Sequence, residues 1–176
     1  MTETCASFRY ATLADRDEVV TLVESAYRGE VSRAGWTTEA DLLGGQRTDI
    51  EEVSGILSEA SSRLLLATEG VNIQGCVLLR RESEAVYIGM LAVRPGLQAK
   101  GLGKQLLAEA EACGRREFDA KLARMTVIAQ RHELIAWYER RGYQKTGHIE
   151  PFPYGSPRFG LPKREDLMFV VLAKAL

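Results

Sequence analysis

Apolar residues recur every three or four positions in several segments of the chain, a spacing that predicts amphipathic helices. The first helix is expected to begin near Leu13, and its apolar side is formed by Val19, Val20, Leu22, Val23 and Ala26. Further helices are predicted over residues 49–60, 101–118 and 131–141, the last closed by Gly142. A short capped helix is also expected at the end of residues 35–43, after a loop.

Short apolar runs bounded by turn residues predict β-strands over residues 7–12, 63–68, 73–80, 85–93, 122–128, 143–146 and 167–172. The run over residues 85–93 is mostly apolar on both faces and is therefore expected to lie centrally in the sheet. Residues 149–166 hold four of the five prolines, which favours a long ordered loop. These elements predict one α+β domain with a mixed sheet over residues 7–176, after a short extension of residues 1–6.

Composition excludes several classes of function. The formal net charge is −1, so the chain has no general basic field to attract nucleic acid or anionic lipid. No apolar run approaches the ~20 residues of a membrane-spanning helix, and the N-terminus lacks a secretory pattern. Cys5, Cys76 and Cys113 have no metal-ligand spacing, so no metal is expected. We therefore expect a cytoplasmic monomer or homodimer.

The most informative segment is residues 90–104, where a predicted strand ends, a glycine-bearing loop turns and a helix begins. Glycine lets backbone amides approach a ligand closely, and the free amides of a helix N-terminus favour an anion. Lys100 and Lys104 add positive charge beside them. The segment therefore predicts a phosphate-binding loop.

Three kinds of phosphate-binding loop can be compared with this one. A nucleoside-triphosphate loop fails, because Gly101 is followed by Leu102 where lysine is required. A dinucleotide fingerprint fails at Leu106, which replaces its third glycine. The third pattern, Gln/Arg-x-x-Gly-x-Gly/Ala, is met by Gln98, Gly101 and Gly103. It resembles the pyrophosphate-binding motif of the GNAT superfamily of acyl-CoA-dependent N-acetyltransferases, although the same glycines could simply form a turn.

A second segment, residues 133–143, resembles the late helix of the same superfamily, in which a tyrosine is followed four residues later by glycine and then an aromatic residue. Tyr138, Gly142 and Tyr143 match this pattern. The resemblance implies that the Tyr138 hydroxyl lies near the thioester sulfur and protonates the departing CoA thiolate. The alternative is that Tyr138 is a core aromatic residue on the same face as Leu134. Trp137 is expected to be a packing residue rather than a functional one.

The resemblance covers most of the chain and implies a central mixed sheet in which two neighbouring parallel strands splay apart around the pantetheine arm of acetyl-CoA. The residues implied to bind the pantetheine arm through their backbone are Leu91, Ala92 and Val93. The residues implied to hold the pyrophosphate are Gln98, Ala99, Lys100, Gly101, Leu102, Gly103 and Lys104. Arg131 departs from the pattern, because many relatives have asparagine there; it could reach a CoA phosphate or simply begin the helix.

The implied reaction is direct attack of an amine on the acetyl thioester, with no covalent intermediate on the protein. Cys76 and Cys113 are accordingly expected to be packing residues. The sequence does not identify the base that takes the amine proton. The acidic side chains near the predicted site are expected to be solvated surface carboxylates: Glu39, Asp41, Glu82 and Glu84.

The acceptor is expected to lie between residues 28–47 and residues 149–166. Trp36 offers an aromatic wall, and Arg33 and Arg47 offer guanidinium groups that could clamp a carboxylate. A lid from the other side could come from Phe152, Tyr154, Arg158 and Phe159. The sequence therefore favours an N-acetyltransferase of a small-molecule amine. Alternatives are a protein or peptide N-acetyltransferase and a non-catalytic acyl-CoA sensor.

Overall fold

The computed structural model describes residues 6–176 of the chain. The five α-helices of these residues are α1 (Arg16–Tyr27), α2 (Gly29–Ser32), α3 (Ile50–Ser58), α4 (Leu102–Phe118) and α5 (His132–Glu139). The strands are β1 (Ser7–Tyr10), β2 (Leu43–Gly44), β3 (Ser62–Glu69), β4 (Asn72–Glu82), β5 (Ala85–Val93), β6 (Leu122–Ile128), β7 (Gln144–Pro151), β8 (Leu161–Pro162) and β9 (Met168–Ala175). The N-terminal extension, apart from its last residue, lies outside the described residues, as does Cys5.

Seven strands form one mixed sheet in the order β1-β3-β4-β5-β6-β9-β7. Every neighbouring pair is antiparallel except β5 and β6, which run parallel. Strand β5 is the fourth of the seven, so the prediction that it lies centrally is confirmed. Strands β2 and β8 form a separate two-stranded sheet. The α+β class with a mixed sheet is confirmed.

The period of two along the strands sends alternate side chains to two hydrophobic cores. On strand β3, Leu64 and Leu66 pack with α1 and α3, while Leu65 and Ala67 pack with α4 on the opposite face. Each fully buried leucine of this kind contributes about 1.5–3 kcal/mol. The sheet is therefore covered by helices on both faces. No helix among residues 6–176 is long and apolar enough to cross a membrane.

Two predictions of local structure were wrong. Residues 35–43 form turns rather than a capped helix, because polar side chains satisfy the backbone locally: the Thr38 hydroxyl accepts a hydrogen bond from the Ala40 amide at 3.2 Å. The segment then joins β2, where Leu43 pairs with Pro162 of β8. The second error is the strand predicted to end at residue 146, because β7 runs on to Pro151, into the predicted loop. A proline is tolerated there because β7 lies at the edge of the sheet, where one side of the strand needs no backbone donor.

Candidate active site

The site lies where the two parallel strands of the sheet separate. Strands β5 and β6 pair only between Ala85–Tyr87 and Leu122–Arg124. Beyond Tyr87 the facing backbone groups of the two strands have no ladder partner, so a cleft opens between the strands at their carboxyl ends. The splayed parallel strands implied by the resemblance are therefore confirmed.

A β-bulge marks the point where β5 enters this cleft. Met90 and Leu91 stand opposite the single residue Val77 of β4. Met90 has φ of +50°, a left-handed conformation that costs a bulky side chain about 1–3 kcal/mol and that clusters at functional sites. The Leu91 carbonyl accepts a hydrogen bond from the buried Tyr27 hydroxyl, which fixes the bulge against α1. Burial raises the pKa of Tyr27 to about 12, so this donor keeps its proton.

A cavity of about 260 Å³, here called the loop cavity, lies beside the bulge and the first turn of α4. Its lining residues are Tyr27, Trp36, Thr37, Leu91, Val93, Gln98, Ala99, Gly101, Gly103, Lys104, Leu134, Trp137, Tyr138 and Arg141. Most of the predicted phosphate-binding loop is thus brought to one cavity. Ala92 instead packs in the core on the other face, Leu102 packs against the α4 core, and the exposed Lys100 does not line the cavity.

The N-terminus of α4 leaves several backbone amides open. Its cap is Gly101 at φ +89°, and no side chain caps the helix. The first intrahelical bond runs from the Gln105 amide to the Gly101 carbonyl, so the three preceding amides have no partner within the helix. The first turn contains no acidic residue, and Lys104 lines the cavity. Free amides, the helix dipole and a lysine together favour a phosphate group.

Gln98 acts as a link between two loops. Its Oε1 accepts a hydrogen bond from the Trp36 amide at 2.9 Å, and its Nε2 donates to Thr37 Oγ1 at 2.8 Å and to the Val93 carbonyl at 3.0 Å. A Cβ on Gly35 would stand 2.4 Å from Gln98 Oε1, so a larger residue there would displace the Gln98 side chain from these hydrogen bonds. Gln98 therefore holds Trp36 over the loop cavity.

Arg141 is a site residue that sequence reasoning missed. Its guanidinium lies 3.5 Å from the Trp137 ring centroid, and its Nη1 donates to the Trp137 carbonyl at 2.7 Å. Its Nε is buried and has no hydrogen-bond partner among the described residues. Burial, together with the neighbouring Arg140, lowers the pKa of Arg141, which means that the charged guanidinium is destabilised. An anion bound in the loop cavity would stabilise that charge. Trp137, expected to be a packing residue, also lines this cavity.

A second cavity of about 260 Å³, here called the cleft cavity, fills the gap between β5 and β6. Its lining residues include Tyr27, Arg28, Glu39, Leu43, Arg47, Glu52, Tyr87, Leu91, Arg131, Leu134, Tyr138, Phe152, Phe159 and Phe169. Four side chains line both cavities, namely Tyr27, Leu91, Leu134 and Tyr138. The two cavities therefore meet at the β-bulge and α5.

Tyr138 stands at this junction. Its side chain packs edge-on against Trp137 and Tyr143, with ring centroids 5.0 and 5.8 Å away. Burial raises the pKa of Tyr138 well above its ordinary value, and Tyr27 adds to the effect. Its hydroxyl has no hydrogen-bond partner within residues 6–176, so a protonated donor is available at the junction.

Glu39 is not the solvated carboxylate that the sequence suggests; that expectation was wrong. It is 7% exposed and forms ion pairs with Arg28 and with Arg131, the latter at 2.9 Å. Arg131 also donates to the Thr37 carbonyl at 2.6 Å. Burial alone would raise the pKa of Glu39, but Arg131 and Arg28 outweigh it and hold that pKa below its ordinary value. Arg131 occupies the N-cap position of α5, its side chain binds Glu39 and the Thr37 carbonyl, and it does not line the loop cavity.

The structure divides the predicted acceptor residues. Arg47 lines the cleft cavity, whereas Trp36 lines the loop cavity. Arg33 lines neither, because it is exposed and pairs with Asp41 at 2.9 Å and with Glu30 at 3.1 Å. Of the expected lid, Phe152 and Phe159 line the cleft cavity; Tyr154 and Arg158 do not.

The cysteines in the described part of the chain are packing residues. Cys76 and Cys113 are both buried, and burial raises the pKa of the Cys76 thiol to about 12. A thiol of this kind is a poor nucleophile. No cluster of potential metal ligands is found among residues 6–176.

Comparisons with known proteins agree with this geometry. The family model described as the acetyltransferase (GNAT) domain matches residues 43–151, more than half of the chain. No curated protein matches the chain significantly.

Solved structures share the fold at low sequence identity. An N-acetyltransferase from Staphylococcus aureus Mu50 is 13% identical with a TM-score of 0.73, over 97% of each chain. The ribosomal-protein-S18-alanine N-acetyltransferase from Escherichia coli is 13% identical with a TM-score of 0.69, over 97% of this chain and 93% of that one. A GNAT family acetyltransferase from Elizabethkingia anophelis, solved with acetyl-CoA bound, is 22% identical with a TM-score of 0.58, over 72% and 82% of the two chains. With its splayed parallel strands and glycine loop, the chain belongs to the GNAT family of acetyltransferases.

Proposed function

We propose that the loop cavity binds acetyl-CoA, that the cleft cavity binds a small primary amine, and that the acetyl group passes between them by direct attack. The observation that carries this proposal is the meeting of the two cavities at Tyr138. Acetyl-CoA supplies a thioester, whose carbonyl carbon takes the amine and whose thiol leaves. The acetyl donor and the amine acceptor need separate binding compartments that meet where the bond forms, and the two cavities provide them.

The residues of the loop cavity suit a pyrophosphate. The open amides of the first turn of α4 donate to it, and Lys104 and Arg141 balance its charge. Leu91 and Val93 line the path from that turn to the junction, where the pantetheine arm would lie. Trp36, held through its backbone amide by Gln98, forms part of the wall of this path.

At the junction, the Tyr138 hydroxyl donates its hydrogen bond to the departing thiolate sulfur. A phenol has a higher pKa than a thiol even before burial, so this group stabilises the sulfur as a donor while it remains mostly protonated. Glu39 is unsuited to take the amine proton, because two guanidinium groups stabilise its charged form. Glu52 is the other carboxylate lining the cleft cavity within the described residues; it forms no ion pair there and accepts one hydrogen bond, from the Thr48 hydroxyl, so we propose it as the base.

Two glycine variants separate a strained position in the loop from a tolerant one. Gly101→Ala is expected to weaken CoA binding about 10-fold, because a side chain at φ +89° costs about 1–2 kcal/mol and shifts the amides of the first turn. Gly103→Ala is the matched control, since its Cβ would meet only ordinary contacts at 3.7 Å or more.

Tryptophan fluorescence measures both affinities directly, because Trp36 and Trp137 are the only two tryptophans of the chain and both line the loop cavity. Equal CoA affinities for the two variants would count against a binding role for this turn.

The proposed reaction is tested by incubating the protein with acetyl-CoA and a panel of amines while following release of the free thiol. The panel contains amino acids, polyamines, aminoglycosides and peptides with free N-termini. Turnover of a free small amine, with its N-acetyl product identified by mass, supports the proposal. CoA binding without turnover of any amine contradicts it and indicates a sensor.

A peptide N-terminus is the second candidate acceptor. A wider groove of about 310 Å³ adjoins both cavities and is lined in part by Trp36, Asp41, His132 and Leu134. This groove would admit the residues that follow a peptide's first amine. Turnover of peptides but not of free amino acids would establish a peptide N-terminus as the acceptor.

A further inference from the structure

The charges of the cleft cavity do not balance. Arginine supplies three of its lining residues, Arg28, Arg47 and Arg131, against two carboxylates, Glu39 and Glu52. Glu39 is already shared between Arg28 and Arg131. Glu52 accepts a hydrogen bond from the Thr48 hydroxyl at 2.6 Å and forms no ion pair among the described residues. One of the three guanidinium groups therefore forms no ion pair among the described residues.

That guanidinium belongs to Arg47. The backbone amides of Arg47 and Thr48 donate to the Glu24 carboxylate at 2.6 and 2.8 Å, which fixes the chain there. The side chain is half-buried and lies 5.9 Å from the centroid of the Tyr27 ring, with Arg131 at 5.7 Å from the same centroid. Within residues 6–176, the Arg47 side chain makes no ion pair. Its charge reaches Glu39 only from beyond ion-pair distance, so a bound carboxylate would give this half-buried guanidinium the direct partner that it lacks.

A second donor in the same cavity is unpartnered. The Arg28 side chain is 4% exposed, and its Nε is buried without a hydrogen-bond partner. Its other nitrogens bind Glu39 and, at 3.4 Å, the Phe159 carbonyl. Two arginines from different segments that line this cavity therefore carry donor groups without a partner among the described residues.

Part of the remaining lining is apolar and aromatic. It is formed by Leu43, Tyr87, Phe152, Phe159 and Phe169, of which Phe152 and Phe169 stack with ring centroids 5.6 Å apart. Such a wall favours an apolar group on the ligand.

Resting on the proposed function, we infer that the acceptor is an amino acid with an apolar side chain, whose carboxylate binds Arg47 and whose amine points to the junction at Tyr138. The surplus positive charge also disfavours polyamines and aminoglycosides, which would bring further cations into the cavity. The same charge favours the neutral form of the amine, which is the nucleophile. A peptide bond in place of the carboxylate would forfeit the arginine contact.

The test compares phenylalanine with phenylalaninamide, and leucine with leucinamide, as acceptors for the wild-type protein and for Arg47→Met. Methionine keeps the packing against Tyr27 and removes the charge. We expect Arg47→Met to lower kcat/KM for the free amino acids about 10- to 100-fold, the effect of losing a charge-assisted hydrogen bond, and to change kcat/KM for the amides less than about 2-fold. Arg47→Lys is expected to restore part of the loss.

Arg115→Met, an exposed position on α4 away from both cavities, is the control for loss of an arginine and should behave like the wild type. Circular dichroism and CoA titration by tryptophan fluorescence show that each variant is folded. Equal loss for acids and amides in Arg47→Met, or preferred turnover of spermidine, overturns the inference and leaves the proposed acetyl transfer standing. Absence of turnover with every amine overturns both.

Discussion

Tyr138→Phe is expected to lower kcat by about 10²- to 10³-fold, the usual effect of removing a hydrogen bond to a charge that develops in the transition state, while the affinity for CoA stays within about 2-fold of the wild type. The reason is the position of the hydroxyl: it stands where the loop and cleft cavities meet and has no protein partner in the described chain. Removing it deletes a bond made to the leaving sulfur and leaves the ring packing against Trp137 in place.

The pH profile adds a second readout for Tyr138. Burial raises the pKa of Tyr138 above its ordinary value, so the group stays protonated throughout the range in which amines lose their protons. We expect kcat/KM to rise as the acceptor amine becomes neutral, with no fall from loss of the tyrosine proton below about pH 10. A descending limb that disappears in Tyr138→Phe would contradict this.

Tyr143→Phe is the matched control. Tyr143 is also a buried tyrosine packed against Tyr138, but its hydroxyl donates to Glu111 at 2.9 Å, away from both cavities. This variant should lose about 1.5–3 kcal/mol of stability, the range for a hydrogen bond to a charged group, and keep its kcat. If the two variants lose activity equally, Tyr138 has a packing role only.

Glu39→Gln is expected to lower the free energy of unfolding by about 3–5 kcal/mol at pH 7, because it leaves the buried guanidinium groups of Arg28 and Arg131 without a counter-charge. Urea denaturation monitored by circular dichroism measures the loss. Asp41→Asn is the control, since Asp41 is exposed and its pair with Arg33 is screened by solvent. A Glu39→Gln protein as stable as Asp41→Asn would contradict the account of this network.

The direction in which the free energy of unfolding changes with pH follows from the lowered pKa of Glu39. The ion pairs stabilise the folded state fully above the ordinary glutamate pKa of about 4.3, and that stabilisation is lost as the pH falls through the lower pKa of the folded state. The difference in stability between the wild type and Glu39→Gln should therefore shrink below about pH 4. A difference that is constant from pH 7 to pH 3 would show that charge is not its cause.

Features encoded over a short stretch of sequence were predictable. The strand, glycine loop and helix around Gly101 depend on neighbouring residues, and the structure places Gly101 at the cap of α4 as the pattern indicates. The central position of β5 followed from its apolar faces. The α+β class and the mixed sheet followed in the same way.

Features that depend on partners distant in sequence were not predictable. Glu39 and Arg131 are separated by 92 positions, and their ion pair turns an apparent surface carboxylate into a buried one. Gln98 matched the motif as a phosphate-loop residue, yet its side chain is occupied by Trp36, Thr37 and Val93. The periodicity of the chain contains no signal for such contacts.

The most direct test of the central claim, that the two cavities are the donor and acceptor halves of one acetyl-transfer site, is a crystal structure of the protein with acetyl-CoA. We predict that the pyrophosphate lies against the amides of residues 102–104 with Arg141 beside it. The thioester sulfur should lie within hydrogen-bonding distance of the Tyr138 hydroxyl, and the acetyl group should face the cleft cavity. Acetyl-CoA bound elsewhere, or with its thioester pointing away from Tyr138, would contradict the claim.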